Sequence, residues 1–128
     1  MKRFLFACLL ATATCSFVSV QHASAQSVHV TASAFTTEVN LLDSYIAAGN
    51  MTVAQNTRDS VHAMMLNVLK YSKTSIYNAT SAADKTTYQT ILKNQVDIYQ
   101  TVWGLKTDLA TNRAALHTNL GLFDATIY

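Results

Sequence analysis

Proline is absent from the 128 residues, and glycine occurs only at Gly49, Gly104 and Gly121. So few breakers predict few, long elements and exclude a loop-rich architecture built on proline and glycine turns. Cysteine is confined to Cys8 and Cys15, close to the N-terminus. Beyond them no disulfide, thiolate metal site or cysteine nucleophile can form. Glu38 is the only glutamate. Carboxylate-bridged metal bundles need several glutamates and Glu-x-x-His pairs, so that chemistry is excluded. The six aspartates are scattered, which disfavours a glycosidase-like acid pair.

Charge is scarce as well: charged residues make up 12% of the chain, nine basic and seven acidic. Lys2 and Arg3 precede an apolar run from Phe4 to Val20, and Ala23-Ser24-Ala25 supplies the small residues that signal peptidase reads. Residues 1–25 are therefore expected to be a cleaved signal peptide, cut before Gln26. Residues 26–128 are expected to be a single domain exported to the periplasm or outside the cell. Thr12, Thr14, Ser16 and Ser19 dilute the run as a lasting membrane span. Thr12 also stands where a lipid-attachment box before Cys15 needs a branched aliphatic residue. Once Lys2 and Arg3 leave, seven basic residues face seven acidic ones. That balance argues against nucleic acid and against an anionic membrane surface, both of which call for excess positive charge. Weak self-repulsion instead favours a homo-oligomer or contact with a protein partner.

The residues that are present fall into helical stripes. Phe35, Val39, Leu42 and Ile46 share one face of a first helix over residues 28–48, closed by Ala48-Gly49-Asn50. Thr52 is the expected N-cap of a second helix. Its stripe is Val53, Thr57, Val61, Met64, Val68 and Tyr71, widened by Met65 and Leu69, and it fades between residues 74 and 80. Ser81 and Asp84 have the spacing of a capping box. From there an unbroken stripe runs through Tyr88, Ile91, Gln95, Ile98, Val102, Leu105, Leu109, Leu116, Leu120 and Phe123. It fits one helix about 55 Å long, or two helices separated near Gly104. Compactness favours the second. The expected fold is thus an all-α, up-and-down bundle of three or four helices, with Gly104 turning in a left-handed conformation that alanine would strain. Phe35, Leu42, Val61, Val68, Ile91 and Ile98 are the expected buried core.

Chemistry-bearing patterns are few. His29, His62 and His117 fall on three different expected helices, without the i, i+4 pairing of a metal site. Met51, Met64 and Met65 are the available thioethers, and a bundle can bring one His and one Met to a haem iron. Covalent haem attachment needs Cys-x-x-Cys-His, which is absent. The segment Thr111-Asn112-Arg113-Ala114-Ala115-Leu116-His117 resembles the last helix of periplasmic four-helix cytochromes that hold a b-type haem. The resemblance covers seven residues. It implies His117 as one axial ligand and a methionine on the first helix as the other, where this chain has none. His62 and His117 otherwise suit the boundary between core and solvent. Trp103, Tyr88 and Tyr99 have the spacing of a core edge or of a ligand platform. Hydroxyls are abundant, but no Gly-x-Ser-x-Gly turn presents one as a nucleophile. The sequons at Asn50 and Asn78 are no more than this Asn-, Ser- and Thr-rich composition produces by chance.

No catalytic residue, resident metal or cofactor is therefore expected. The leading expectation is a non-enzymatic exported bundle with an interaction or structural role; the alternative is a haem-binding electron carrier using His117. N-terminal sequencing of the exported protein should begin at Gln26. A chain that starts at Cys15 or retains Met1 overturns the signal assignment.

Overall fold

The computed structural model describes residues 28–128. The expected signal segment, its cut before Gln26, and both cysteines lie outside the described residues. Four helices follow in order: α1 (Ala32–Ala47), α2 (Met51–Asn78), α3 (Ala82–Leu105) and α4 (Arg113–Asp124). No strand occurs among the described residues. The fold is an all-α, up-and-down bundle. Each helix adjoins its two neighbours around a ring, with α4 closing onto α1 as well as α3.

Local chemistry sets the boundaries. Thr31 caps α1, its hydroxyl oxygen accepting from the Ala34 amide at 3.2 Å. Gly49, at φ 72°, closes the helix. Its amide donates to the Ile46 carbonyl and the Asn50 amide to that of Tyr45, a Schellman closure. The chain enters α2 at once, with Asn50 as N-cap rather than the expected Thr52. An asparagine directly after the left-handed glycine is already placed to accept from the Val53 amide, so the helix starts two residues early. Ser81 caps α3 as expected, accepting from the Asp84 amide at 3.0 Å and donating to the Asp84 carboxylate at 2.7 Å. Threonine does not break these helices because its hydroxyl donates one turn back. Thr36, Thr57, Thr74, Thr86, Thr90 and Thr101 all bond the carbonyl four residues earlier.

The chain does turn after α3, but Gly104 does not make the turn. It lies inside α3, and Gly49 is the only glycine with positive φ among the described residues. Residues 106–112 form the connection, held by side chains. Asp108 accepts from the Thr111 amide at 3.0 Å, and the Asn112 side-chain amide donates to the Leu105 carbonyl at 3.1 Å. The Arg58 guanidinium reaches across from α2 to the Lys106 carbonyl at 3.2 Å. The Leu105 and Lys106 carbonyls are thus satisfied without any left-handed residue.

The core is centred on Phe35, Leu42, Val61, Met65, Val68, Leu116, Leu120 and Phe123. Phe35 and Phe123 meet with ring centroids 5.4 Å apart, joining α1 to α4. On α2 the buried line is Ala54, Thr57, Val61, Met65, Val68 and Ser72, with Val53, Met64 and Tyr71 half-buried beside it. Two neighbouring helices press on α2, and its buried line combines the small Ala54, Thr57 and Ser72 with the larger Val61, Met65 and Val68. Ile91 and Ile98, expected to be buried, are half-exposed, and Gln95 is the only buried residue of α3. Helix α4 has 12 residues against the 24 of α3 and covers only part of its partner's length.

Gly104 is exposed, and a Cβ there would meet nothing within 4 Å. Gly104→Ala should therefore stabilise the protein by about 1 kcal/mol through helix propensity. A thermal melt of the variant should show a raised midpoint with unchanged helicity; a lowered midpoint would mean a strained backbone at this position.

Candidate functional site

Two short patterns place side chains at one end of the bundle. On α2, Arg58 and His62 lie one turn apart; on α3, Tyr99 and Trp103 lie one turn apart and Lys106 follows at the helix end. The antiparallel packing of α2 on α3 brings the sets together. The His62 ring lies 4.5 Å from that of Trp103 and 5.4 Å from that of Tyr99, centroid to centroid, at interplanar angles near 30°. The Tyr99 hydroxyl and His62 Nε2 are 3.4 Å apart. Lys106 Nζ rests over the Trp103 ring, 2.9 Å from its centroid, a cation–π contact. Arg58 joins its neighbour Asp59 through Nη2 at 2.8 Å while its Nη1 holds the Lys106 carbonyl.

Behind this rim the four helices leave a cavity of about 160 Å³. Leu42, Val61, Met65, Val102, Leu116 and Leu120 line its interior, and Arg58, Asp59, His62, Tyr99, Trp103 and Lys106 frame its mouth. The interior is apolar and the polar atoms gather at the opening, the usual division of a small-ligand pocket. Burial holds the His62 imidazole below its ordinary pKa of 6.5, reinforced by the positive charge of Lys106. Both effects favour its neutral form over the imidazolium. A benzene ring occupies an engineered protein cavity of about 150 Å³, so one ring or its aliphatic equivalent fills this space.

The other candidates lie elsewhere. His117 is exposed on α4, beside a shallow groove of about 10 Å³ that Asp43 and Arg113 also line. Arg113 grips the Asp43 carboxylate from Nε at 2.7 Å and Nη2 at 2.8 Å, tying α4 to α1. Those bonds hold the Asp43 carboxyl below the usual carboxylate range. No methionine lines that groove: Met65 is in the cavity floor, and Met51 and Met64 pack against the core. His29 sits at the opposite end, edge-on to Tyr71 at 4.6 Å and 3.4 Å from the Tyr128 carbonyl. Tyr88 stacks on Tyr128 there, away from Tyr99 and Trp103. Among the described residues no three His, Cys, Asp or Glu side chains converge as a metal site, and no helix is long and apolar enough to cross a membrane. Asn50 and Asn78 of the two sequons are exposed at the two ends of α2. Between α2 and α3 the exposed Ala63 and Leu66 and the half-buried Leu69, Leu92 and Val96 line an apolar surface groove.

Tyr99, Trp103 and His62 stand out separately in the sequence, whereas Arg58 and Lys106 do not. Their helical spacing, Arg58-x-x-x-His62 and Tyr99-x-x-x-Trp103-x-x-Lys106, was the available signal. What joins the two patterns is the register of α2 on α3. No family model matches the chain, and neither the curated proteins nor the solved structures contain a match to it.

Because His62 has a folded-state pKa below 6.5, its neutral form stabilises the fold fully above that pH. The contribution is lost as pH falls through the lower folded value. An NMR titration should find the His62 midpoint below 6.5, and His62→Phe should flatten the loss of stability between about pH 7 and 5. A midpoint at or above the ordinary value would place His62 in a solvated site.

Proposed function

We propose that this is an exported, non-enzymatic binding protein that holds a small, largely apolar ligand in the cavity between its helices. The observation carrying this reading is the division of that cavity: an apolar interior of single-ring size behind a rim of stacked aromatic and charged side chains. Buried apolar walls supply the binding free energy, in proportion to the ligand surface withdrawn from water. The rim supplies orientation. Export rests on the N-terminal Lys2-Arg3, apolar run and Ala23-Ser24-Ala25 end. A role in binding rather than chemistry accords with the helical threonines, whose hydroxyls are committed to backbone carbonyls.

Trp103 is the only tryptophan and borders the opening, so its emission reports occupancy. Titration with toluene should change that emission saturably and raise the melting temperature. Val102→Phe, which extends a wall residue into the space, should abolish both effects while the helicity remains. Absence of saturable binding in the wild type, or undiminished binding in the Val102→Phe variant, overturns the reading.

A further inference from the structure

We infer that the cavity's ligand is a compact aromatic monocarboxylate, its ring in the recess and its carboxylate at the Lys106 ammonium. The inference rests on the proposed binding role and adds the chemical class of the ligand.

The size of the space sets the first limit. About 160 Å³ takes one ring with a short substituent and excludes fused rings and long acyl chains. The walls favour an aromatic body. The stacked rings of His62, Tyr99 and Trp103 border the recess, and Met65 adds a thioether to its lining. Ring faces and polarizable sulfur contact an aromatic ligand more favourably than they contact an alkyl chain of equal volume.

Charge at the opening sets the headgroup. The charged groups around His62 at the opening are Arg58 and Asp59 on its own helix α2 and Lys106 at the end of α3. Arg58 and Asp59 pair with each other. Lys106 belongs to none of the ion pairs among the described residues, and its ammonium lies against the Trp103 ring. The rim therefore carries one uncompensated positive charge beside an apolar space. One carboxylate neutralises it; a dianion would leave a partly desolvated negative charge without a partner. The Lys106 stem is flexible, so its ammonium can leave the ring face and meet a headgroup at the mouth.

Calorimetric titration of the purified protein with phenylacetate and with phenylacetamide, its neutral near-isostere, tests the assignment. Phenylacetate should bind about tenfold or more tightly than the amide at low ionic strength, with the gap narrowing as salt is added. Lys106→Met keeps the stem but removes the charge, and the backbone carbonyl held by Arg58 is untouched. In that variant the two probes should bind within about twofold of each other because the acid loses its advantage, and Lys106→Arg should restore the preference. Equal binding of acid and amide to the wild type overturns this inference while leaving the small-ligand reading intact. Tighter binding of hexanoate than of phenylacetate overturns the aromatic assignment. If neither phenylacetate, phenylacetamide nor toluene binds, the binding role itself falls.

Discussion

Gln95 is the one side chain of α3 that is wholly withdrawn from solvent, and its amide fixes how the bundle is assembled. A buried amide without partners is costly, so its position is dictated by where partners exist. Its carbonyl oxygen accepts from the Ser72 hydroxyl of α2 at 2.7 Å, and its nitrogen donates to the Thr126 carbonyl at 3.2 Å. One residue thereby ties α2, α3 and the segment after α4 together. Apolar contacts alone tolerate sliding of one helix along another, whereas a satisfied buried amide selects a single register. Ser72 itself is fully buried, which requires a side chain small enough for close approach and polar enough to answer the amide.

The cavity follows from that register. Because α2 and α3 run antiparallel, moving back from Ser72 to His62 and forward from Gln95 to Trp103 leads to the same end of the bundle. A shift of one turn, about 5.4 Å, would separate His62 from Trp103 and carry Arg58 away from the Lys106 carbonyl. Arg58 has a double part in this geometry. Its hydrogen bond to that carbonyl satisfies the end of α3, and its pairing with Asp59 leaves Lys106 as the rim's free cation. The short α4 completes the arrangement. It brings Leu116 and Leu120 to the cavity wall, while α3 beyond its reach is left to the residues after α4, where Tyr128 stacks on Tyr88.

Much of this was legible as pattern, and the remainder depended on contacts that pattern does not carry. The stripe of Phe35, Val39, Leu42 and Ile46 gave α1 its buried face correctly, because a helix with large apolar residues at every turn has one face to hide. The closure at Gly49 and the cap at Ser81 were equally visible, being decided by side chains adjacent in sequence. The chain does break soon after Gly104, but glycine is not what breaks it. Glycine suggested a turn, whereas Asp108, Asn112 and the distant Arg58 made it. On α2 the stripe expected from the sequence includes Thr57, Val61, Met65 and Val68 but not the fully buried Ala54 and Ser72, whose value is their small size. Periodicity included Gln95 in the stripe of α3 without revealing that its amide, not an isoleucine, would be the buried group. The candidate site was least legible of all. Its parts are spaced by single turns on two helices, but their meeting depends on a hydrogen bond between residues 23 positions apart.

The scarcity of charge gives the rim its significance. In a heavily charged bundle one unpaired lysine would be unremarkable, since exposed ammonium groups are solvated at little cost. Here three ion pairs join described residues, and each has a local or architectural reason: Arg58–Asp59 at the cavity mouth, Lys93–Asp97 one turn apart along α3, and Arg113–Asp43 between α4 and α1. Lys106 is set apart by its surroundings rather than by its charge. Its ammonium leans on an indole face at the opening of an apolar space, where water is a poorer competitor than on an open surface. A cation so placed gains more from an anion than one in bulk solvent does, because the effective dielectric beside low-polarity walls is smaller. The same walls disfavour a free, fully hydrated ion that lacks an apolar body to fill the recess. Shape and charge therefore select together: the interior rewards the ring, the rim rewards the carboxylate, and neither feature alone distinguishes this opening from an ordinary packing defect.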